Sequence, residues 1–137
     1  MAVDCSAHYK HTPSHYVRFK ATSAKYGLGV QNYKLVPMRT IAVDPKVIPY
    51  GSTLYIPDAR GTEVTLPDGT KVTHDGYFFA ADAGGLIKGI HIDVFVGTTN
   101  PYTKNPFPKW LRSSANGSFK AYIVKDPTVS TSLKSLH

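Results

Sequence analysis

The stretch "YFFAADAGGLIKGIHIDVFVGTT", residues 77–99, is mostly apolar and small, yet it contains two aspartates. Asp82 ends the apolar segment YFFAA before a Gly-rich turn, and Asp93 lies in the alternating segment GIHIDVFVG. A period of two places Asp93 in mid-strand, opposite a row of aliphatic side chains. That row consists of Ile90, Ile92, Val94 and Val96. Aspartate is depleted in strands, so its position here indicates a specific role.

A third aspartate follows a similar segment upstream. In MRTIAVD, Ile41 and Val43 share one face of a predicted strand, and Asp44 lies on the other face. For Asp44 and Asp82, capping of a turn is as good an explanation as a functional role, because both precede turn-forming residues. Asp93 has no such turn beside it, so a carboxylate there needs a partner, a hydrogen bond or a proton.

A carboxyl group on a half-apolar strand face has a recognisable chemical use. Partial desolvation raises the pKa of such a group, because burial penalises its charged form. A carboxyl group with a raised pKa can act as a general acid near neutral pH. Glycoside cleavage needs such an acid to protonate the leaving oxygen.

The segments around these aspartates predict one small, mainly all-β domain over residues 21–126. About six short strands alternate with turns, a spacing typical of a small β-barrel. Asp68-Gly69 lies between two alternating segments and predicts a hairpin. Residues 1–20 are expected to form an irregular N-terminal arm. Residues 127–137 have no core-forming pattern and are expected to be a disordered tail.

The charge of the chain indicates an anionic partner. Sixteen Lys and Arg residues against nine Asp and Glu give a formal net charge of +7 and a pI of about 9.5. Nucleic acid, a membrane surface and a bacterial wall polymer would all suit this charge. The basic residues are scattered and form no nucleic-acid motif, so we expect no nucleic-acid partner.

Three features that the sequence lacks bear on its class: a long apolar run, a secretory signal and a second cysteine. No apolar run approaches the roughly 20 residues that span a bilayer, and the first residues lack the pattern of a secretory signal. We therefore expect delivery by another route, a trimmed chain or a phage-encoded protein. Cys5 is the single cysteine, which excludes an intrachain disulfide.

Three clustered histidines, His8, His11 and His15, are the one spacing typical of a metal site. Pro13 interrupts the helical turn that would gather them, so a solvated arm is the favoured interpretation. We expect no metal and no cofactor, and a monomer.

Two motifs together resemble a known family. "IAVDPKVIPYGSTLYI" and "AADAGGLIKGIHIDVF", in that order, resemble the 3D domain, which is named for three aspartates. The domain occurs in membrane-bound lytic transglycosylases of type A and in stationary-phase survival proteins. The resemblance covers about residues 38–98 and implies a six-stranded double-psi β-barrel. The family's aspartates fall on Asp44, Asp82 and Asp93, with the catalytic acid/base on Asp93.

The resemblance also implies an activity and a place of action. It implies cleavage of the β-1,4 bond between N-acetylmuramic acid and N-acetylglucosamine in peptidoglycan, within the cell envelope. The cut uses no water and leaves a 1,6-anhydro-muramyl end. Gly84 and Gly85 would let backbone approach the sugar, and Lys88 is a candidate substrate contact or a surface residue. Four aromatic residues are candidates for stacking on sugars or, more commonly, for packing: Tyr50, Tyr77, Phe107 and Trp110.

Two departures from the family pattern and three rival functions accompany this interpretation. Ala83 stands where the family usually has Thr, and the predicted hairpin lengthens the segment between Asp44 and Asp82. An inverting hydrolase on the same barrel would use Asp93 as acid and Asp44 or Asp82 as base. The other rivals are a non-catalytic, expansin-like wall-binding module and a basic nucleic-acid binder.

Overall fold

The computed structural model describes residues 2–3, 21–98 and 118–137. These residues form short strands, two 3₁₀ turns and one α-helix. The strands are β1 (Ala2–Val3), β2 (Ala21–Thr22), β3 (Thr40–Ala42), β4 (Thr53–Tyr55), β5 (Glu63–Thr65), β6 (Lys71–Thr73), β7 (Tyr77–Asp82), β8 (Asp93–Val94) and β9 (Tyr122–Ile123). The 3₁₀ turns are Val30–Asn32 and Pro57–Ala59, and the helix α1 is Pro127–Leu136.

A five-stranded sheet organises the domain, in the order β8-β3-β7-β4-β9. β3 and β7 are parallel, and the other neighbours are antiparallel. β1 with β2 and β5 with β6 form separate two-stranded sheets. The mainly-β class is thus confirmed, but the described strands do not close into the expected six-stranded double-psi barrel. Strands of two or three residues are too short to continue the ladder around a closed barrel.

Both faces of the five-stranded sheet are covered. One face carries the larger core, in which Ile41, Val43, Leu54 and Phe78 are almost fully buried. The alternation predicted for Ile41 and Val43 is therefore confirmed. The other face carries a smaller cluster of Phe79, Ala81 and Leu133. β7 supplies both clusters because successive side chains of a strand point to opposite faces.

The helix α1 corrects the expectation of a disordered tail at residues 127–137. Its N-terminus is capped by Asp126, whose carboxylate accepts bonds from the N–H groups of Thr128 at 2.8 Å and Val129 at 3.3 Å. Leu133 is buried against the sheet. His137 packs its ring 4.5 Å from that of Phe79, between centroids. The apolar surface of the second sheet face outweighs the weak intrinsic helix tendency of this Ser- and Thr-rich segment.

The segment after Asp82 is less regular than its alternation predicts. Only Asp93–Val94 forms a strand, so Asp93 opens β8 and does not lie within a longer strand. Ile92 and Val94 contact the larger core. Ile90 was expected on the same buried face but is 86% exposed. The chain between β7 and β8 turns at Gly89, which has a φ of +63° and ends the strand alternation there.

Other predicted elements are found in shorter form. β5 and β6 pair as the expected hairpin around Asp68-Gly69, with Leu66 and Thr70 closing the turn. The predicted last strand, residues 119–126, is reduced to Tyr122–Ile123. Of the predicted arm only β1 is described, and it pairs with β2. Among the residues that the structure describes, no helix is both long and apolar enough to span a membrane.

Candidate active site

Sheet topology brings the three aspartates to one edge. β3 and β7 run parallel, so Asp82, which ends β7, and Asp44, two residues beyond the end of β3, meet on the same side of the sheet. β8 runs antiparallel to β3, so its first residue, Asp93, lies on that side too. Asp82 and Asp93 are both in register with Ala42, from its two sides. Their Cα atoms are therefore about 10 Å apart, two strand spacings. We call these three residues the carboxylate edge.

Asp44 clamps two loops. Its Oδ1 accepts a hydrogen bond from the N–H of Lys46 at 3.0 Å, and its Oδ2 accepts one from the N–H of Gly89 at 2.9 Å. These bonds, that of Gly89 first, lower the pKa of the Asp44 carboxyl, because they stabilise its charged form. Both oxygens are thus engaged. Asp44 is suited to fixing the loop between β7 and β8, and it is a poor proton donor.

Asp82 has the opposite environment. It is half-buried, and its Oδ1 accepts one bond from the N–H of Ala83, at 2.9 Å. Burial raises the pKa of the Asp82 carboxyl, and the negative charge of nearby Asp93 raises it further, against the lowering effect of the Ala83 bond. A half-buried carboxyl group with a second negative charge nearby is more readily protonated than a solvated one.

Asp93 is the exposed member of the edge. The sequence predicts a half-desolvated carboxyl here, and that prediction is wrong for the chain without a ligand: the burial falls on Asp82. The cause is the shortness of β8, because a strand that begins at Asp93 leaves its side chain outside the sheet. An exposed carboxyl beside a half-buried one is accessible to a substrate lying across the edge.

Tyr50 and Lys88 both lie close enough to act on the carboxylate edge. Burial raises the pKa of the Tyr50 phenol, and the charges of Asp44 and Asp82 raise it further. The ring also packs against the larger core. Lys88 is exposed, and its positive charge contributes to the lowered pKa of Asp44. Tyr50 therefore packs against the core within electrostatic reach of Asp44 and Asp82, and Lys88 belongs to the surroundings of Asp44.

The two adjacent glycines differ in what they contact. A Cβ on Gly84 would lie 2.6 Å from Cγ1 of Ile87, so a side chain is excluded there by packing within the loop. A Cβ on Gly85 would meet no atom within 4 Å, and Gly85 is exposed. The close approach of backbone to a sugar stays a prediction at both positions, and of the two Gly85 has open space where a Cβ would lie.

Two exposed aliphatic side chains in this loop were not expected from the sequence. Leu86 is 92% exposed and Ile90 is 86% exposed, on either side of the buried Ile87. Their exposure follows from the turns that Asp44 and Gly89 hold, a contact 45 residues apart in the chain. No short-range signal in the sequence indicates it.

Some predicted site residues lie outside the described part of the chain. Trp110 and Phe107 are among them, as are His8, His11 and His15. Within residues 2–3, 21–98 and 118–137, no three His, Cys, Asp or Glu side chains are grouped as a metal site would require.

The part of the chain that contains the three aspartates matches a known family. Residues 39–104 match the family model of the 3D domain. The chain carries a 3D domain. No curated protein matches the chain.

Three solved structures are similar to part of this 3D-domain chain. The lytic transglycosylase LtgG of Burkholderia pseudomallei is 30% identical over 58% of the chain and 22% of its own, with a TM-score of 0.40. MltA from E. coli is 32% identical over 60% of the chain and 24% of its own, with a TM-score of 0.39. An apo form of a lytic transglycosylase MltA variant is 31% identical with the same coverage and TM-score. The matched region thus spans less than a quarter of each of these proteins.

Proposed function

We propose that the chain is a peptidoglycan lytic transglycosylase that acts in the cell envelope. The observation that carries the proposal is the pairing of an exposed Asp93 with a half-buried Asp82 on one accessible edge of a 3D domain. The net charge of +7 suits peptidoglycan, because stem peptides carry carboxylates.

In the proposed reaction one carboxyl group acts first as acid and then as base. Asp93 donates a proton to the glycosidic oxygen as the bond from that oxygen to C1 of the muramyl sugar breaks. Positive charge develops at C1. The Asp93 carboxylate then accepts the proton of the C6 hydroxyl of the same sugar, and the C6 oxygen bonds to C1. The products are a free hydroxyl on N-acetylglucosamine and a 1,6-anhydro-muramyl end.

The neighbours of Asp93 have supporting roles in this proposal. A glycan strand lying across the edge removes water from Asp93, and desolvation favours the neutral form of a carboxyl group. Asp82 places a second carboxyl group near it, since the negative charge of Asp93 is felt at Asp82, whose pKa it raises. Asp44 holds the loop between β7 and β8 through Gly89. Open space at Gly85 leaves room for a sugar ring to approach the protein backbone.

An inverting hydrolase is the second candidate, and the position of Asp82 favours considering it. A base that activates water needs a carboxyl group roughly 6.5–9.5 Å from the acid. Residues two strand spacings apart can satisfy that distance when their side chains converge. Asp82 would then activate water, and Asp44 is less suited to that role because each of its oxygens already accepts a backbone hydrogen bond.

Digestion of purified sacculi, followed by mass spectrometry of the released fragments, tests the proposal. Anhydro-muramyl ends are expected, and they identify the lyase. Reducing ends would assign the hydrolase. Intact sacculi that nevertheless sediment with the chain would support a wall-binding module and contradict both enzymatic proposals.

A further inference from the structure

Three tyrosines form a row across neighbouring strands at the other end of the sheet. Tyr55 is in register with Tyr77 on β7 and with Tyr122 on β9. Cross-strand partners share a face, and the rings of Tyr55 and Tyr77 lie 5.0 Å apart between centroids. Tyr122 is 53% exposed, and Tyr55 and Tyr77 are half-buried. We call Tyr77, Tyr55 and Tyr122 the tyrosine row.

The row is separate from the carboxylate edge. Tyr77 begins β7 and Asp82 ends it. Five residue steps along a strand separate their Cα atoms by about 17 Å. Tyr77 packs with the smaller cluster, on the face that α1 covers, whereas Ala80, two residues before Asp82, belongs to the larger core. A ligand on the row would leave the carboxylate edge open.

The side chains around the row are suited to binding a ligand that has an uncharged ring and carries negatively charged substituents. The Arg60 guanidinium is exposed and lies near the Tyr55 hydroxyl, whose interaction with it raises the pKa of Arg60. Lys120 and Lys125 are exposed on either side of Tyr122 in the chain. One cationic side chain, Arg60, therefore adjoins the aromatic surface, and two more flank Tyr122 in the chain. This cationic border is complementary to a polymer that bears carboxylates.

A cleft continues from the row at Tyr77. It has a volume of about 360 Å³ and lies between α1 and the sheet. Thr128 and Ser132 supply hydroxyls to its wall, and Leu136, 54% exposed, supplies an apolar side chain. Its lining also includes the Arg39–Asp75 ion pair, and Tyr77 is the aromatic side chain among these residues. The cleft therefore offers apolar, hydroxyl and charged groups to a ligand with both apolar and hydroxylated faces.

We propose that the tyrosine row is a second glycan-binding surface, which holds a peptidoglycan strand away from the carboxylate edge. The negative faces of the phenol rings attract the C–H groups on the flat face of a pyranose. The Tyr hydroxyls and Arg60 bond to the sugar hydroxyls, and the cationic border takes the stem-peptide carboxylates. The identity of the glycan rests on the proposed function, whereas the surface itself does not depend on cleavage.

Sedimentation with purified sacculi tests the row, in the full chain carrying Asp93→Asn so that the polymer stays intact. Tyr122→Ala is expected to weaken binding about threefold to tenfold, the effect of losing one stacked ring. Tyr122→Phe should retain most of it. Ile123→Ala is the matched control, because Ile123 is 52% exposed, adjoins Tyr122 and pairs with the core residue Leu54. Equal binding by all variants would overturn the proposal.

A second measurement needs no substitution. A soluble β-1,4-linked N-acetylglucosamine tetramer is titrated into the wild-type chain while the aromatic NMR signals of Tyr55, Tyr77 and Tyr122 are followed. Saturable shifts at all three are expected, and unchanged signals would overturn the proposal.

The two proposals fail separately. Anhydro ends with unchanged binding of Tyr122→Ala would retain the transglycosylase and reject the row. Loss of binding in Tyr122→Ala without any sugar cleavage by the wild-type chain would retain the row and reject the enzyme.

Discussion

The polar side chains at the two ends of β7 lie in opposite electrostatic environments. Before the strand, His74 is buried with both ring nitrogens bonded, Nε2 to the carbonyl of Met38 at 2.7 Å and Nδ1 to the N–H of Gly76 at 2.8 Å. Asp75 is paired with Arg39 there. At the other end, the last residue, Asp82, is half-buried with one bond from the next residue and a like charge nearby. One end satisfies its polar groups, and the other leaves a carboxyl group destabilised.

This difference separates stability from chemistry within one strand. Residues held in unfavourable electrostatic surroundings are common at active sites, because shifted pKa values are needed there. The surrounding fold must compensate. In this domain the stabilising contacts lie next to the unfavourable group. The hydrogen-bonded and ion-paired residues before β7 hold in place the strand whose last residue is Asp82.

The largest expected effect is on activity, at Asp93. Asp93→Asn removes the proposed acid and base and should lower the rate of sacculus cleavage at least about 100-fold. Thermal stability should change little because the side chain is exposed. Rates are measured by release of anhydro-muropeptides. Asp58→Asn, another exposed aspartate, is the control and should leave the rate unchanged. Comparable rates in both variants would contradict the role of Asp93.

The largest expected effect on stability is at His74. His74→Ala removes a buried ring and leaves the Met38 carbonyl and the Gly76 N–H without their partner, which should cost about 3 kcal/mol or more. Urea denaturation measures the loss. His91→Ala, at an exposed histidine, should be close to neutral.

The burial of His74 also leads us to expect that the stability of the domain depends on pH. Burial, followed by the positive charge of Arg39, lowers the pKa of His74 in the folded chain below its ordinary value of 6.5, against the raising effects of the Met38 bond and Asp75. Its stabilising contribution is therefore complete above pH 6.5 and falls as the pH drops toward the folded value. The stability difference between wild type and His74→Ala should shrink over that window. A difference independent of pH would contradict the neutral buried imidazole.

A smaller effect distinguishes the two glycines of the loop. Gly84→Ala forces its Cβ against Ile87 and should destabilise the domain by about 1–3 kcal/mol. Gly85→Ala has free space and should be neutral or slightly stabilising. Thermal melts compare them. If Gly85→Ala nevertheless lowers activity while folding normally, the open space at Gly85 is used by substrate.

The smallest effect is expected at Asp82 and has an unusual sign. The raised pKa of Asp82 means that its charged form opposes folding, so any stabilisation it provides is present at low pH and lost as the pH rises. Asp82→Asn should therefore slightly raise the melting temperature at pH 7 and leave it unchanged near pH 3. A lower melting temperature at pH 7 would show that the Ala83 bond outweighs the burial and repulsion.

Much of the site follows from local sequence. Ile41 and Val43 show their alternation directly, and the Asp68-Gly69 turn specifies its hairpin. The two motifs contain all three aspartates, although Asp93 was predicted in mid-strand and opens β8. What alternation cannot reveal is where a strand stops. The pattern continues through Ile90, but the bond from Gly89 to Asp44 holds that segment in a turn. A contact between distant residues overrides the local period, and it exposes both Ile90 and Asp93.

The prediction of a disordered tail in place of α1 is a different kind of error, because the signals of a helix are present in the sequence. Asp126 followed by Pro127 is a helix start, and Val129, Leu133 and Leu136 follow a helical spacing. The abundance of Ser and Thr obscured them. The surface that the helix covers, around Phe79, is formed by a strand about 50 residues earlier, so the need for a cover was not visible locally. Closure of the predicted barrel likewise depends on long-range pairing.

The parallel pairing of β3 with β7 has a consequence for folding kinetics. Thr40 meets Phe79 across that pair, and the hairpin of β5 and β6 forms within the intervening chain from local contacts. Contacts of such long sequence separation form late and slowly, after the loop between them has closed. The carboxylate edge is therefore among the last parts of the domain to assemble. We expect Asp82 and Asp93 to repel each other only after the transition state for folding, so relieving that repulsion should slow unfolding and leave the folding rate nearly unchanged.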